Sequence, residues 1–358
     1  MTFDLQALGW RPAFDDAFAQ YRGEGLEPAR VALEHTHIYR VFAPSGEWLA
    51  RVSGRLRHQA GRRVDFPAVG DWVVIEPAAG GEARIHAVLP RFSRFSRRAA
   101  GDSTEEQIVA ANIDVVLLVT GLDGDFNPRR IERYLVVAWD SGATPVIVLN
   151  KADLVDDPRA MVDEVRASAP GVDVHAVSTR QPQSLDALRG YLGEGRTGAL
   201  LGSSGVGKSS IVNQLIGQDL LRTRDVRASD SRGRHTSTAR QLVLLPGDGV
   251  LIDTPGMREL QLWETGESLA GTFTDIDGLA ADCRFRDCRH RSEPGCAVRA
   301  AVDAGDLPAE RLDSFFKLSA EQAHQARQLD ARAQIEEKRR GRIGAKALRN
   351  VLKDKNKT

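Results

Sequence analysis

Cysteine is scarce in this chain: three in 358 residues, all falling between Cys283 and Cys296. So few thiols, bunched so closely, exclude a disulfide framework and point to a metal. Long apolar runs are absent, and the start, Met1-Thr-Phe-Asp-Leu-Gln-Ala-Leu-Gly-Trp10, has no basic stretch leading into an apolar one. A membrane span and an export signal are therefore not expected, which predicts a soluble, cytoplasmic protein with no membrane partner. Excess charge is lacking too: 49 Lys+Arg balance 49 Asp+Glu. Any polyanion partner must then be held by local patches, since there is no global field to attract it.

The most informative stretch is Gly202-Ser203-Ser204-Gly205-Val206-Gly207-Lys208-Ser209-Ser210, preceded by a short apolar run and followed by a helical pattern. This is the phosphate-loop spacing in the context it requires. Its glycines let backbone N–H groups turn toward phosphate oxygens, Lys208 can neutralise the β- and γ-phosphates, and Ser209 can ligate Mg²⁺.

A second stretch names the base. The apolar run Pro145–Leu149 leads directly into Asn150-Lys151-Ala152-Asp153. A carboxylate there can accept two hydrogen bonds from guanine N1–H and N2–H₂, donors that adenine lacks; Asn150 can buttress the loop and the Lys151 stem can cover the base. Ser178, at the end of the next strand-like run, can begin the small loop that meets guanine O6. Asp253-Thr254-Pro255-Gly256 supplies an Asp for Mg²⁺ and a Gly256 N–H for the γ-phosphate. The polar segment Ser229–Thr238 fits a switch loop whose Thr236 or Thr238 ligates Mg²⁺. After Gly256 stands Met257, where Ras-like enzymes carry a water-orienting glutamine. His235 is the nearest polar substitute, although a lone loop histidine is more often inert.

Motif order is unusual. The guanine-reading tetrapeptide precedes the phosphate loop by about 50 residues, whereas it follows the loop in Ras-like proteins. The reading is a circularly permuted, mostly parallel α/β sheet.

Upstream, five β-like runs (Arg30–Glu34, His37–Phe42, Trp48–Val52, Trp72–Ile75 and Ala83–Leu89) are separated by turns, with no helix of useful length between. They predict a small closed barrel, of which the OB-fold is the commonest kind. Between Ala29 and Ala100, 12 Lys+Arg face 6 Asp+Glu, and Arg91, Arg94, Arg97 and Arg98 interleave with Phe92 and Phe95, a composition suited to nucleic acid or to a plain solvated surface. Downstream, Cys283-x4-Cys288-x-His290-x5-Cys296 is a Cys₃His set for one structural zinc with no open position. A helix is expected from Ala309 to about Glu337, and a basic tail follows from Lys338.

Together these motifs resemble the bacterial family of small ribosomal subunit biogenesis GTPases, the RsgA or YjeQ-type family. The resemblance implies a multidomain fold: an N-terminal arm (1–28), an OB-fold β-barrel that binds nucleic acid (29–100), a circularly permuted P-loop GTPase domain (101–275) and a mostly helical zinc-binding domain with a basic tail (276–358). It further implies Mg²⁺-dependent GTP hydrolysis, with His235, Lys208 and Asp253 in the reaction, stimulated by the small (30S) subunit and coupled to release late in assembly. GTP or GDP, the subunit and 16S rRNA are the expected partners of what is expected to be a monomer.

Overall fold

The computed structural model describes residues 2–23, 25–35, 38–98, 106–124, 126–193, 195–217, 241–247, 249–253, 266–323 and 327. The expectations for His235, Thr236, Thr238, Gly256, Met257 and the basic tail fall outside them. The chain forms two compact units, one of residues 1–261 with 270–274 and one of 262–269 with 275–358.

In the first unit, α1 (Pro12–Phe18) precedes a barrel of β1 (Glu27–His35), β2 (Ile38–Ala43), β3 (Gly46–Val52), β4 (Trp72–Pro77) and β5 (Glu82–Val88). The strands pair β1–β2–β3–β5–β4, and β4 returns to β1, so the barrel is closed and β1 to β5 leave no gap in the ring. Alternation along each strand explains the closure: Val31, Val41, Ala50, Val73, Ile75 and Ile85 point into one core. A short helix, α2 (Gly54–Gln59), does fit between β3 and β4. Ser53 caps it by accepting from the Leu56 N–H, a one-turn device too short for periodicity to reveal.

The N-terminal residues, unassigned from sequence, pack on this barrel. Trp10, Phe14 and Phe18 are buried against Trp72, with Trp10 and Trp72 edge-on at 4.7 Å between ring centroids. Arg30, wholly buried, donates to the carbonyls of Leu8, Gly70 and Asn112, and so ties that segment to the barrel and to the chain leaving it. Burial lowers its pKa to about 9.

Beyond the barrel, β6 (Arg94–Arg98) and β7 (Glu106–Ala111) form a hairpin. An α/β layer follows: β8 (Val115–Gly121), α3 (Pro128–Ser141), β9 (Thr144–Asn150), α4 (Arg159–Ser168), β10 (Asp173–Ala176), α5 (Asp186–Arg189), β11 (Thr197–Leu201), α6 (Lys208–Ile216), β12 (Gln241–Leu244) and β13 (Val250–Asp253). The sheet runs β10-β9-β8-β11-β13-β12, parallel except for the antiparallel β12. Every residue of β8 is buried, as befits a parallel strand covered on both faces. The strand bearing the phosphate loop, β11, comes late in sequence yet lies inside the sheet, which is the permuted arrangement. The α/β sheet and the barrel are also one continuous sheet, because β12 pairs with β1 at Gln241 and Leu33.

Later in the chain come α7 (Gly266–Thr272), α8 (Thr274–Ala280) and α9 (Ala297–Ala304), and residues 309–323 are helical. Among the described residues, no helix is long and apolar enough to cross a membrane.

Candidate functional site

The phosphate loop occupies the turn from β11 to α6, at the C-terminal end of the parallel strands, where such sheets bind ligands. Gly207 has φ +95°, and a Cβ there would lie 2.2 Å from Asn150 Nδ2; only glycine permits so close an approach. Asn150 uses the gap by donating from Nδ2 to the Val206 carbonyl at 2.8 Å. The Asn150 side-chain oxygen is buried with no hydrogen-bond partner among the described residues. Lys208 Nζ donates to the carbonyls of Gly202 (2.7 Å) and Ser203 (2.5 Å), so its ammonium lies folded over the loop. Ser209 is exposed in the first turn of α6.

The base-side residues converge in the same way. Lys151 takes the left-handed conformation, φ +64°, and its Nζ pairs with Asp123 Oδ2 at 2.6 Å. Asp153 Oδ1 accepts from Ser178 Oγ at 2.5 Å, and Oδ2 accepts from Arg180 at 3.2 Å. The Ser178 hydrogen bond, helped by Arg180, lowers the Asp153 pKa and keeps it ionised. Backbone bonds stitch these loops to their strands: Leu122 N–H to the Asn150 carbonyl at 2.8 Å and Ala152 N–H to the Val177 carbonyl at 3.0 Å. Asp253 closes β13, whose Ile252 is in register with Ala199 of the neighbouring β11.

Sequence reasoning missed several contributors. Arg130 Nη1, on the first turn of α3, donates to Ser203 Oγ at 2.6 Å, and the Tyr134 hydroxyl lies 3.5 Å from the same atom. Asn127 caps that helix through the Arg130 N–H and Pro128 opens it, which sets the register that delivers both side chains. The Asn-Pro start was the one legible signal. Asp123 and Arg180 carried none.

The barrel's arginines are not all available to a partner. Arg91 is bound on both edges, to Asp71 (2.7 and 2.6 Å) and to the carbonyls of Val64 and Phe66. With Arg55, His86 and Arg94 it lines a cleft of about 880 Å³ that reaches the C-terminal end of α3, and His86 and Arg94 are paired with Glu76 (3.0 Å) and Glu106 (3.9 Å).

In the second unit, Cys283, Cys288, His290 and Cys296 place all four ligand atoms within 4.8 Å of one another. Cys283 and Cys296 Sγ are 3.9 Å apart, and they lie 3.6 and 3.4 Å from His290 Nδ1. A tetrahedral zinc with ordinary bond lengths needs about 3.8 Å between sulfurs and about 3.6 Å from sulfur to nitrogen, so the residues fit the ion. Glu293 organises the loop by accepting from the N–H groups of Arg289, Arg291 and Ser292. Backbone N–H groups, its own first and then that of Arg291, push its carboxyl down to about 2. Beside it Arg291 stacks on Phe316, and the exposed Phe285 carries Arg284 over its ring.

Comparison with known proteins agrees with this geometry. A family profile described as RsgA GTPase matches residues 88–263. A protein of Opitutus terrae named small ribosomal subunit biogenesis GTPase RsgA is 49% identical over 336 residues, covering 91% of this chain and 92% of that protein. The crystal structure of YjeQ from Thermotoga maritima superposes with a TM-score of 0.64 at 27% identity, covering 83% of this chain and 99% of that one. YloQ, described as a circularly permuted GTPase, shares the fold with a TM-score of 0.62 at 24% identity, covering 85% of this chain and 97% of that one.

Proposed function

The chain belongs to the RsgA family of ribosomal subunit biogenesis GTPases, and we propose that it binds the small subunit and its 16S rRNA late in assembly and hydrolyses GTP to leave. The observation that carries this reading is the Asn150–Val206 hydrogen bond, which makes a base-reading loop and a phosphate loop into one nucleotide site.

In this reading Asp153 accepts from guanine N1–H and N2–H₂, while Ser178 keeps the carboxylate aligned and charged. Lys151, drawn aside by Asp123, presents its stem to the base plane. Gly202 to Ser210 wrap the phosphates, and the Lys208 ammonium shifts from loop carbonyls onto the β/γ bridge. Ser209, Asp253 and either Thr236 or Thr238 would hold Mg²⁺, which would supply positive charge to offset that of the phosphates. The Gly256 N–H senses the γ-phosphate. Met257 has no polar atom able to orient a water; His235 takes that task, and slow turnover without a partner follows.

The Cys₃His site holds one zinc in a structural role, since four protein ligands leave no open position. Arg284, Arg286 and Arg289 around it, with Arg55 on the barrel and Arg94 on the hairpin after it, supply the local cation patches that an electrically neutral chain needs to hold rRNA in the cytoplasm.

Sedimentation with isolated small subunits tests the reading. Co-migration in a non-hydrolysable GTP analogue and separation in GDP is the expected result. Equal co-migration in both would remove the coupling between hydrolysis and release.

A further inference from the structure

The carboxylate assigned to guanine is already engaged by the chain itself, and the two groups that engage it differ. Ser178 is buried; its N–H donates to Ser184 Oγ at 2.9 Å, so its hydroxyl is fixed where it meets Asp153 Oδ1. Arg180 reaches the other oxygen, Oδ2, from the solvent side. Its side chain is 78% exposed, against 16% for Asp153. The turn holds the two donors together, because the Arg180 backbone N–H donates to Ser178 Oγ at 3.1 Å.

Chemistry gives this arrangement a meaning. A guanidinium is a planar N–C–N unit whose N–H groups pair with a carboxylate. Guanine offers Asp153 the same unit: N1–H, C2 and N2–H₂. We propose that Arg180 is a built-in guanine surrogate, a residue that sets nucleotide affinity by occupying the base-reading oxygen of Asp153 until guanine displaces it. The inference rests on Asp153 being the guanine reader.

Competition fixes the sign of the effect. Whatever stabilises the open base site more than the filled one lowers affinity for every guanine nucleotide, GTP and GDP alike. It also fixes the size. An exposed ion pair is weak and salt-screened, so the expected change is about two- to fivefold at low ionic strength and close to none at high. The surrogate keeps the loop formed and Asp153 charged while no base is bound, so the site does not have to reassemble at each exchange.

The test is equilibrium titration of the full, zinc-loaded chain with a ribose-labelled fluorescent GDP, at about 50 mM and about 500 mM salt. Arg180→Ala should bind two- to fivefold tighter than the parent at low salt and equally at high salt, with slower release, and Arg180→Lys should fall between. Equal or weaker binding by Arg180→Ala at low salt overturns the proposal, because Arg180 is then idle or grips the bound nucleotide. Tripolyphosphate, which has no base, should bind all variants equally and reports an intact phosphate loop. Asp153→Ala should keep tripolyphosphate and lose GDP; if it keeps both, the base-reading assignment fails and the surrogate with it.

Discussion

Asn150 and Val206 lie 56 positions apart, and a 2.8 Å hydrogen bond from the Asn150 side chain to the Val206 carbonyl fastens the loop after β9 to the loop after β11. Both residues are buried, so the bond is shielded from water and its loss is not made good by solvent. Circular permutation changed the order in which the two loops occur in the chain, and the parallel sheet still brings them together.

Asn150→Ala strands the Val206 carbonyl and frees the two loops from each other. An orphaned buried acceptor costs about 1–3 kcal/mol, so GTP and GDP should both bind roughly ten- to a hundredfold more weakly. Calorimetric titration checks this, and an unchanged affinity would mean the loops hold their positions without the tether.

Asp153 gives a pH prediction. Its native pKa is depressed, chiefly by Ser178. The Ser178 bond therefore favours the folded loop at all pH values above the ordinary aspartate value of about 3.9, and that contribution disappears as pH falls through the lower native value. A ¹³C NMR titration of the Asp153 carboxyl should give a midpoint below about 3.9 that moves upward in Ser178→Ala. No movement would assign the depression to another cause.

One metal ion per chain is expected, and mass spectrometry of the native protein should identify it as zinc. Cys296→Ser or chelation should lose the ion and unfold the loop around Glu293, since the binding energy of such an ion is folding energy. GDP affinity should be untouched, because the nucleotide site lies in the other compact unit.

The N-terminal segment is a stability element. Phe14 is 3% exposed and packs on Trp10 and Trp72. Phe14→Ala should cost about 3–5 kcal/mol in denaturant unfolding of the first unit. A loss below about 1 kcal/mol, the size usual for surface changes, would place the segment outside the core.

Much of this was legible because it is local. Gly202 to Ser210, Asn150 to Asp153 and the Cys₃His set are each a short stretch whose spacing follows from the chemistry proposed for it. What could not be read depends on tertiary distance. Nothing near Phe14 announces Trp72 as its partner, and Arg91, which reads as one more surface cation, is spent on the buried Asp71. Arg130 and Ser203 are 73 positions apart and meet only because α3 begins at Asn127. The pairing of β12 with β1 was hidden for the same reason: strand patterns specify faces, and edges find partners only in the folded sheet.

The most direct test of the account is the rate of GTP hydrolysis by the zinc-loaded protein alone and with isolated small subunits, large subunits or bare RNA. A slow basal rate raised only by small subunits is the predicted result, because in the proposed reading Met257 stands where a water-orienting glutamine would and His235 takes that task. Equal rates in all four mixtures would contradict the claim that the small subunit completes this active site.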